Sequence, residues 1–146
     1  MEKPTIAIAC DHAGYELKEQ VCTFLLKYDY VIKDFGTYSD NRVDYPDYAH
    51  PMTKSVQKGE YDFGIAICGT GNGINMVANK YKDIRSAVCW CVDIAVMARS
   101  HNNANICSLP ARYITIEEAK NIIDSFLNTE FDGGRHLTRI NKINIK

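Results

Sequence analysis

Five short apolar runs alternate with amphipathic stretches along this chain of 146 residues, and no other feature of the sequence restricts its fold as tightly. The runs are TIAIAC at 5–10, YVIKDFG at 30–36, FGIAIC at 63–68, RSAVCW at 85–90 and NICSLP at 105–110. Their length and β-branched content suit strands buried on both faces. Between them, YELKEQVCTFLLKY sets Leu17, Val21, Phe24, Leu25 and Tyr28 at helical spacing. A second helix is expected over Asp47 to Lys58, with Pro51 tolerated only in its first turn and Gly59 as its stop. GINMVANKY and VDIAVMARS give two more helices. IEEAKNIIDSFLN gives a fifth, with Ile116, Ala119, Ile122, Ile123, Phe126 and Leu127 in register.

Strand-helix alternation with short links specifies an α/β fold, a three-layer αβα sandwich of Rossmann-like type around a five-stranded parallel sheet with right-handed crossovers. Gly133 and Gly134 are expected to break the fifth helix, leaving a basic arm over about 132–146. With no Gly/Ser linker, repeat or low-complexity tract, residues 1–146 read as a single domain. Lys plus Arg number 17 against 18 Asp plus Glu, a balance that offers no global attraction to nucleic acid or an anionic membrane. MEKPTIAIAC reads as a first strand and not a signal peptide, and the chain is expected to be cytoplasmic. Cysteines at 10, 22, 68, 89, 91 and 107 fall largely in strand-like segments, so free thiols are expected. Their spacing fits no structural metal site.

In such a sheet the loops following the strands meet at one edge, where ligands bind. That edge should gather Asp11 and His12 after the first strand, Asp44 and Tyr45 after the second, Cys68 after the third and Arg112 after the fifth. Gly69, Gly71 and Gly73, with Asn72 among them, allow backbone N–H groups to converge at a helix start, an arrangement that binds phosphate or holds an oxyanion. The G-x-G-x-G spacing after a third strand is not a dinucleotide fingerprint. A thiol beside such donors has its thiolate form favoured, which makes Cys68 a candidate nucleophile or base, although a strand cysteine more often packs as a small hydrophobe.

His101 closes VDIAVMARS, a helix that runs back from the ligand edge, so it should lie about 17 Å from Cys68 of its own chain. Together with Asn102 it either caps that helix or enters a site built with a second subunit. His50 is expected at the surface. Arg135 and Arg139, four residues apart, share one face of a short helix and with Arg112 would match a small phosphorylated ligand.

DHAGYELK, DFGT, DYPDYA, ICGTGNG, ANK, IR, HNNAN, AR and EFDGGRH with a trailing arginine run in order along nearly the whole chain. In this the sequence resembles the ribose-5-phosphate isomerase B family, the RpiB/LacAB sugar-phosphate isomerases. The resemblance implies reversible conversion of D-ribose 5-phosphate to D-ribulose 5-phosphate, in the non-oxidative branch of the pentose phosphate pathway, with neither metal nor organic cofactor. Carried over by position, Cys68 is the proton acceptor, Thr70 assists around the enediolate, and His101 opens the sugar ring with Asp11. His12, Arg112, Arg135 and Arg139 serve the phosphate, and Tyr45 and Asn102 line the sugar. The site is expected to be shared between the subunits of a homodimer or a dimer of dimers. Relatives lacking the cysteine use a glutamate where this chain has Ile74. Pro110 replaces a usual glycine, Asn75 a frequent serine, and Trp90 stands in a region that is often more polar. Galactose 6-phosphate and allose 6-phosphate isomerases share the pattern, and a non-catalytic sugar-phosphate sensor would share the binding residues.

Overall fold

The computed structural model describes residues 2–146. Its sheet comprises β1 (Ile6–Cys10), β2 (Ile32–Asp34), β3 (Phe63–Cys68), β4 (Ser86–Val88) and β5 (Ile106–Pro110), all parallel, in the order β2-β1-β3-β5-β4. The helices are α1 (Tyr15–Lys27), α2 (Tyr45–Gln57), α3 (Asn72–Ala78), α4 (Val92–Ser100), α5 (Ile116–Asn128) and α6 (Arg135–Ile140). The expected three-layer architecture is therefore present.

The pleat of β1 divides the core. Ile6, Ile8 and Cys10 face one layer with Leu17, Val21 and Leu25 of α1, Ala95 and Ala98 of α4, and Ile122 and Phe126 of α5. Ala7 and Ala9 face the other layer with Met52 and Val56 of α2 and Ile74 and Ala78 of α3. Small residues on that side let α2 lie close: a Cβ added at Gly64 would stand 2.8 Å from the Met52 Sδ.

Several boundaries differ from expectation. α2 starts at Tyr45, so Pro46 occupies the first turn and Pro51 falls inside the helix. An internal proline costs about 3 kcal/mol in an isolated helix. Here Pro51 is on the solvent side, while the opposite face buries Ala49, Met52 and Val56. The Asp47 carbonyl that it leaves unbonded can thus meet water. β2 is shorter than the apolar run that predicted it, although Phe35 and Thr37 still donate to β1 carbonyls beyond its formal end. α5 stops at Asn128, before the glycines, where Thr129 turns extended and its hydroxyl donates to the Ser125 carbonyl. Gly133 and Gly134, with φ of +68° and +58°, instead shape the turn into α6.

The chain leaves β1 outward to β2 and then returns past β1 to β3. The loops after β1 and β3 consequently depart in opposite directions and open a crevice between them. No helix among the described residues is long and apolar enough to cross a membrane.

Candidate active site

A cleft of about 350 Å³ lies in that crevice, lined by Asp11, His12, Tyr45, Cys68, Gly69, Thr70, Gly73 and Arg112 together with Ala13. A larger groove of about 920 Å³ runs along α1 and α5 past Lys3, Phe24, Tyr28 and Lys120. It holds none of the residues expected to do chemistry. The smaller cleft is the candidate because Asp11, His12, Tyr45, Cys68 and Arg112, all foreseen at the ligand edge, open onto it, whereas Asp44, foreseen with them, does not line it.

Cys68 ends β3 opposite Pro110 of β5, with 4 % of its surface exposed. Beyond that pair the ladder continues into the turns, Ala111 N–H donating to the Cys68 carbonyl at 2.9 Å and Arg112 N–H to the Gly69 carbonyl at 3.0 Å. Pro110 thus leaves Arg112 at the cleft. Close approach constrains the glycines here, most firmly at Gly73. A Cβ on Gly69 would come within 2.9 Å of the Arg112 Nη1, and one on Gly73 within 2.5 Å of the Tyr45 ring. Gly71 holds a left-handed φ of +76° while pressed against the backbone of Leu109 and Pro110. Thr70 is exposed, its Oγ1 accepting from the Asn72 N–H at 3.2 Å. Asn72 itself opens α3 and does not line the cleft.

On the opposite wall Asp11, 7 % exposed, caps the His12–Gly14 turn, its Oδ1 accepting from Gly14 N–H at 3.1 Å. The backbone of Val43 lies 3.1–3.2 Å from the His12 Nδ1. That engagement sets the ring and leaves Nε2 as the nitrogen available to a ligand. Tyr45 begins α2, after Asp44 at its N-cap, instead of lying in the loop.

One charged residue below this wall was not anticipated. Lys18 of α1 is fully buried, its Nζ donating to Asp34 Oδ2 at 2.6 Å and to the Thr37 carbonyl at 2.7 Å. Burial alone would depress the ammonium, but hydrogen bonding to and attraction by Asp34 outweigh it and leave the pKa raised. The pair pins the end of β2, from which the chain proceeds to Val43, whose backbone contacts His12. The only signal in the sequence is a lysine beside the apolar stripe of α1, and long helical lysines ordinarily reach solvent. Next to Lys18, burial pushes the Cys10 thiol up to about 12, and it pushes Cys22 to about 11, so neither is a thiolate near neutrality. All six cysteines are free, two of them, Cys22 and Cys91, only partly buried.

The remaining expected residues lie elsewhere. His101 caps the C-terminus of α4, and the Asn105 that follows bonds to Arg85 at the start of β4 and β5. This is the far edge of the sheet from Cys68, as the helix direction required. Asn102 and the arm arginines, Arg135 and Arg139, gather at that corner, all exposed. Arg85 Nε donates to the carbonyls of Asn102 and Asn103 at 3.0 and 3.1 Å, and Arg99 binds Asn103 Oδ1 and the Ala104 carbonyl. These two arginines shape the loop although neither was foreseen. The His101 and His136 rings stack, and their ligand atoms with those of Asp132 lie within 4.8 Å of one another. Ring planes only 13° apart point their nitrogen lone pairs side by side and not toward one ion. His50 is exposed, packed edge-on against Tyr81.

Fold and cleft together define an α/β protein that gathers a thiol, a hydroxyl, an imidazole and a guanidinium at its topological switch point. Residues 6–143 match the family model described as Ribose/Galactose Isomerase, and the chain belongs to that family. Ribose-5-phosphate isomerase B of Escherichia coli strain K12 is 41% identical over 138 residues, 94% of this chain and 93% of that protein. A crystal structure of a ribose 5-phosphate isomerase from Thermotoga maritima superposes with a TM-score of 0.95 at 54% identity, covering 97% of this chain and 98% of that one. The Mycoplasma genitalium ribose-5-phosphate isomerase B, solved with bound ribulose-5-phosphate, gives 0.91 at 42% identity over 95% and 93% of the two chains.

Proposed function

We propose that residues 1–146 form a single sugar-phosphate isomerase domain that interconverts D-ribose 5-phosphate and D-ribulose 5-phosphate through a cis-enediolate, with Cys68 as the base. The observation that carries this reading is the meeting of Cys68, Thr70, Tyr45 and Asp11 with His12 and Arg112 in one cleft of about 350 Å³. The names of the relatives agree with it. In the open-chain aldose, the Cys68 thiolate takes the proton from C2 and the electron pair moves through the new C1–C2 double bond onto O1. The thiol then returns its proton to C1, while the proton leaving the O2 hydroxyl passes to O1 as the C2 carbonyl forms. Negative oxygen is held by fixed donors around Gly69 to Gly73 and by Thr70, which need no reorganisation as charge develops. No step calls for a metal or organic cofactor.

His12 and Arg112 bind the phosphate from within the chain. Arg135, Arg139, Asn102 and the ring-opening His101 come from a second subunit, in a homodimer or dimer of dimers, because their own cleft lies a sheet length away. A chain with this activity would serve the non-oxidative pentose phosphate pathway in the cytoplasm.

Solvent deuterium entering ribulose 5-phosphate during turnover tests the assignment. Wild-type protein is expected to exchange the carbon-bound hydrogen. Cys68→Ala should lose about 10²–10⁴-fold in both exchange and kcat. Exchange undiminished in the variant would remove Cys68 as base, and no exchange in the wild type would leave only a sugar-phosphate sensor. A higher kcat/KM for galactose 6-phosphate or allose 6-phosphate than for ribose 5-phosphate would move the substrate to a six-carbon sugar.

A further inference from the structure

His101 is the proposed catalytic group farthest from the cleft of its own chain, and its ring has a neighbour that the reaction as described does not use. The imidazole of His136 lies face to face with it, centroids 4.2 Å apart. This contact follows from how the arm is tied down. Asp132 N–H donates at 2.9 Å to the carbonyl of Ser100, the residue before His101. Gly133 and Gly134 then turn the chain through left-handed conformations, so α6 begins directly beside the end of α4. His136 falls in the first turn of α6 and is half-buried, whereas Arg135 and Arg139 are exposed.

We propose that His136 is a positioning residue whose imidazole, stacked on that of His101, holds the latter in the orientation from which it opens the ring of a sugar bound in the partner's cleft. The inference rests on the ring-opening role given to His101 above. A histidine at a helix C-terminus otherwise has several side-chain rotamers open to it, and only one can aim a ring nitrogen at a ligand on a neighbouring chain. Stacking removes the others.

The local charges favour the same arrangement. The groups facing His136 are His101 from α4, Arg135 and Arg139 from its own helix, and Asp132 from the turn. Desolvation first, then His101 and the two arginines, lower its pKa, and Asp132 opposes them. A neutral His136 presents its π face to His101 and can accommodate an imidazolium there as the sugar ring opens.

The chemistry of the two sugars separates this role from proton transfer at carbon. Ribose 5-phosphate closes through O4 onto C1, so the aldose must be opened before C2 can react. Ribulose 5-phosphate would need O5 to close on C2, and O5 carries the phosphate, so the ketose is already open. A defect confined to His101 orientation should therefore slow turnover of the aldose while sparing hydrogen exchange in the ketose.

The test compares His136→Ala and His136→Phe in the full-length protein. His136→Ala should lower kcat for ribose 5-phosphate about three- to tenfold, the range expected for losing one aromatic stack, with little change in KM. Deuterium exchange into ribulose 5-phosphate should stay at the wild-type rate, which also shows that the variant is folded. His136→Phe, which keeps the stack without a titratable nitrogen, should restore most of the forward rate. An unchanged forward rate in His136→Ala, a parallel fall in ketose exchange, or a phenylalanine variant as slow as alanine would each overturn the proposal. A forward rate untouched in His101→Ala would do so for a different reason, by removing the ring-opening role itself.

Discussion

At the level of single residues the cleft is set by what is missing from side chains as much as by what is present. Gly73 allows the Tyr45 ring to lie where a Cβ would come within 2.5 Å, whereas a Cβ on Gly69 would meet mainly the far end of the flexible Arg112 side chain. Gly73→Ala must therefore displace a ring anchored at the start of α2, and Gly69→Ala need only tilt a guanidinium. We expect Gly73→Ala to reduce kcat/KM for ribose 5-phosphate by about tenfold or more, equivalent to at least about 1.4 kcal/mol of transition-state stabilisation, and Gly69→Ala to act mainly through KM. Steady-state kinetics on both variants decides this, and equal behaviour would show that the Tyr45 contact carries no function. The placement of Cys68, Gly69 and Gly73 at the cleft was legible in the sequence because a buried run that stops at a glycine turn marks the strand end where such a sheet opens. Lys18 was not legible, since its role depends on Asp34 and Thr37, which reach it only through the pairing of β2 with β1.

Elements were easiest to read where local and tertiary preferences agree. α5 combines a continuous apolar face with a capping box in which Glu118 N–H donates to Thr115 Oγ1 and Thr115 N–H to Glu118 Oε1, each at 3.1 Å. The apolar register alone placed its start at Ile116, and the cap at Thr115 agrees with it. α2 was misread because proline carries an unfavourable local preference that the burial of Met52 and Val56 overrides, and this compensation is visible only once the helix lies on the sheet. The edge strands were read too long, because apolar residues that flank an edge can pack on a helix without entering the ladder. Since α5 covers much of one sheet face and supplies nothing to the cleft, its cap bears on stability alone. Thr115→Ala should cost about 1 kcal/mol and lower the melting temperature by about 2–4 °C, with kcat unchanged. Thermal unfolding followed by circular dichroism measures the shift, and a melting temperature equal to that of the wild type would mean that the box contributes nothing.

For the whole molecule, the fold separates the proposed machinery by the length of the sheet. Cys68, His12 and Arg112 stand at the ends of strands, while His101, Asn102, Arg135 and Arg139 stand near the beginnings, and the rigid central strands between them, buried on both faces, cannot bend to bring the two together. A five-residue strand spans about 17 Å, too far for one sugar phosphate to touch both groups within a chain. The separation was readable from helix direction alone, but the way a second copy would close it was not, because symmetry leaves no mark in the order of residues. Twofold pairing implies a quantitative result. Chains carrying His101→Ala and chains carrying Cys68→Ala are each expected to be nearly inactive. When the two are unfolded, mixed in equal amounts and refolded, half the dimers should be hybrids, each with one intact cleft facing one intact histidine. Recovered activity should approach about a quarter of that of the wild type refolded in the same way. Tagging one chain and isolating the hybrid removes any ambiguity about assembly, and a purified hybrid without activity would require both residues to act within one chain, a geometry that the sheet does not permit.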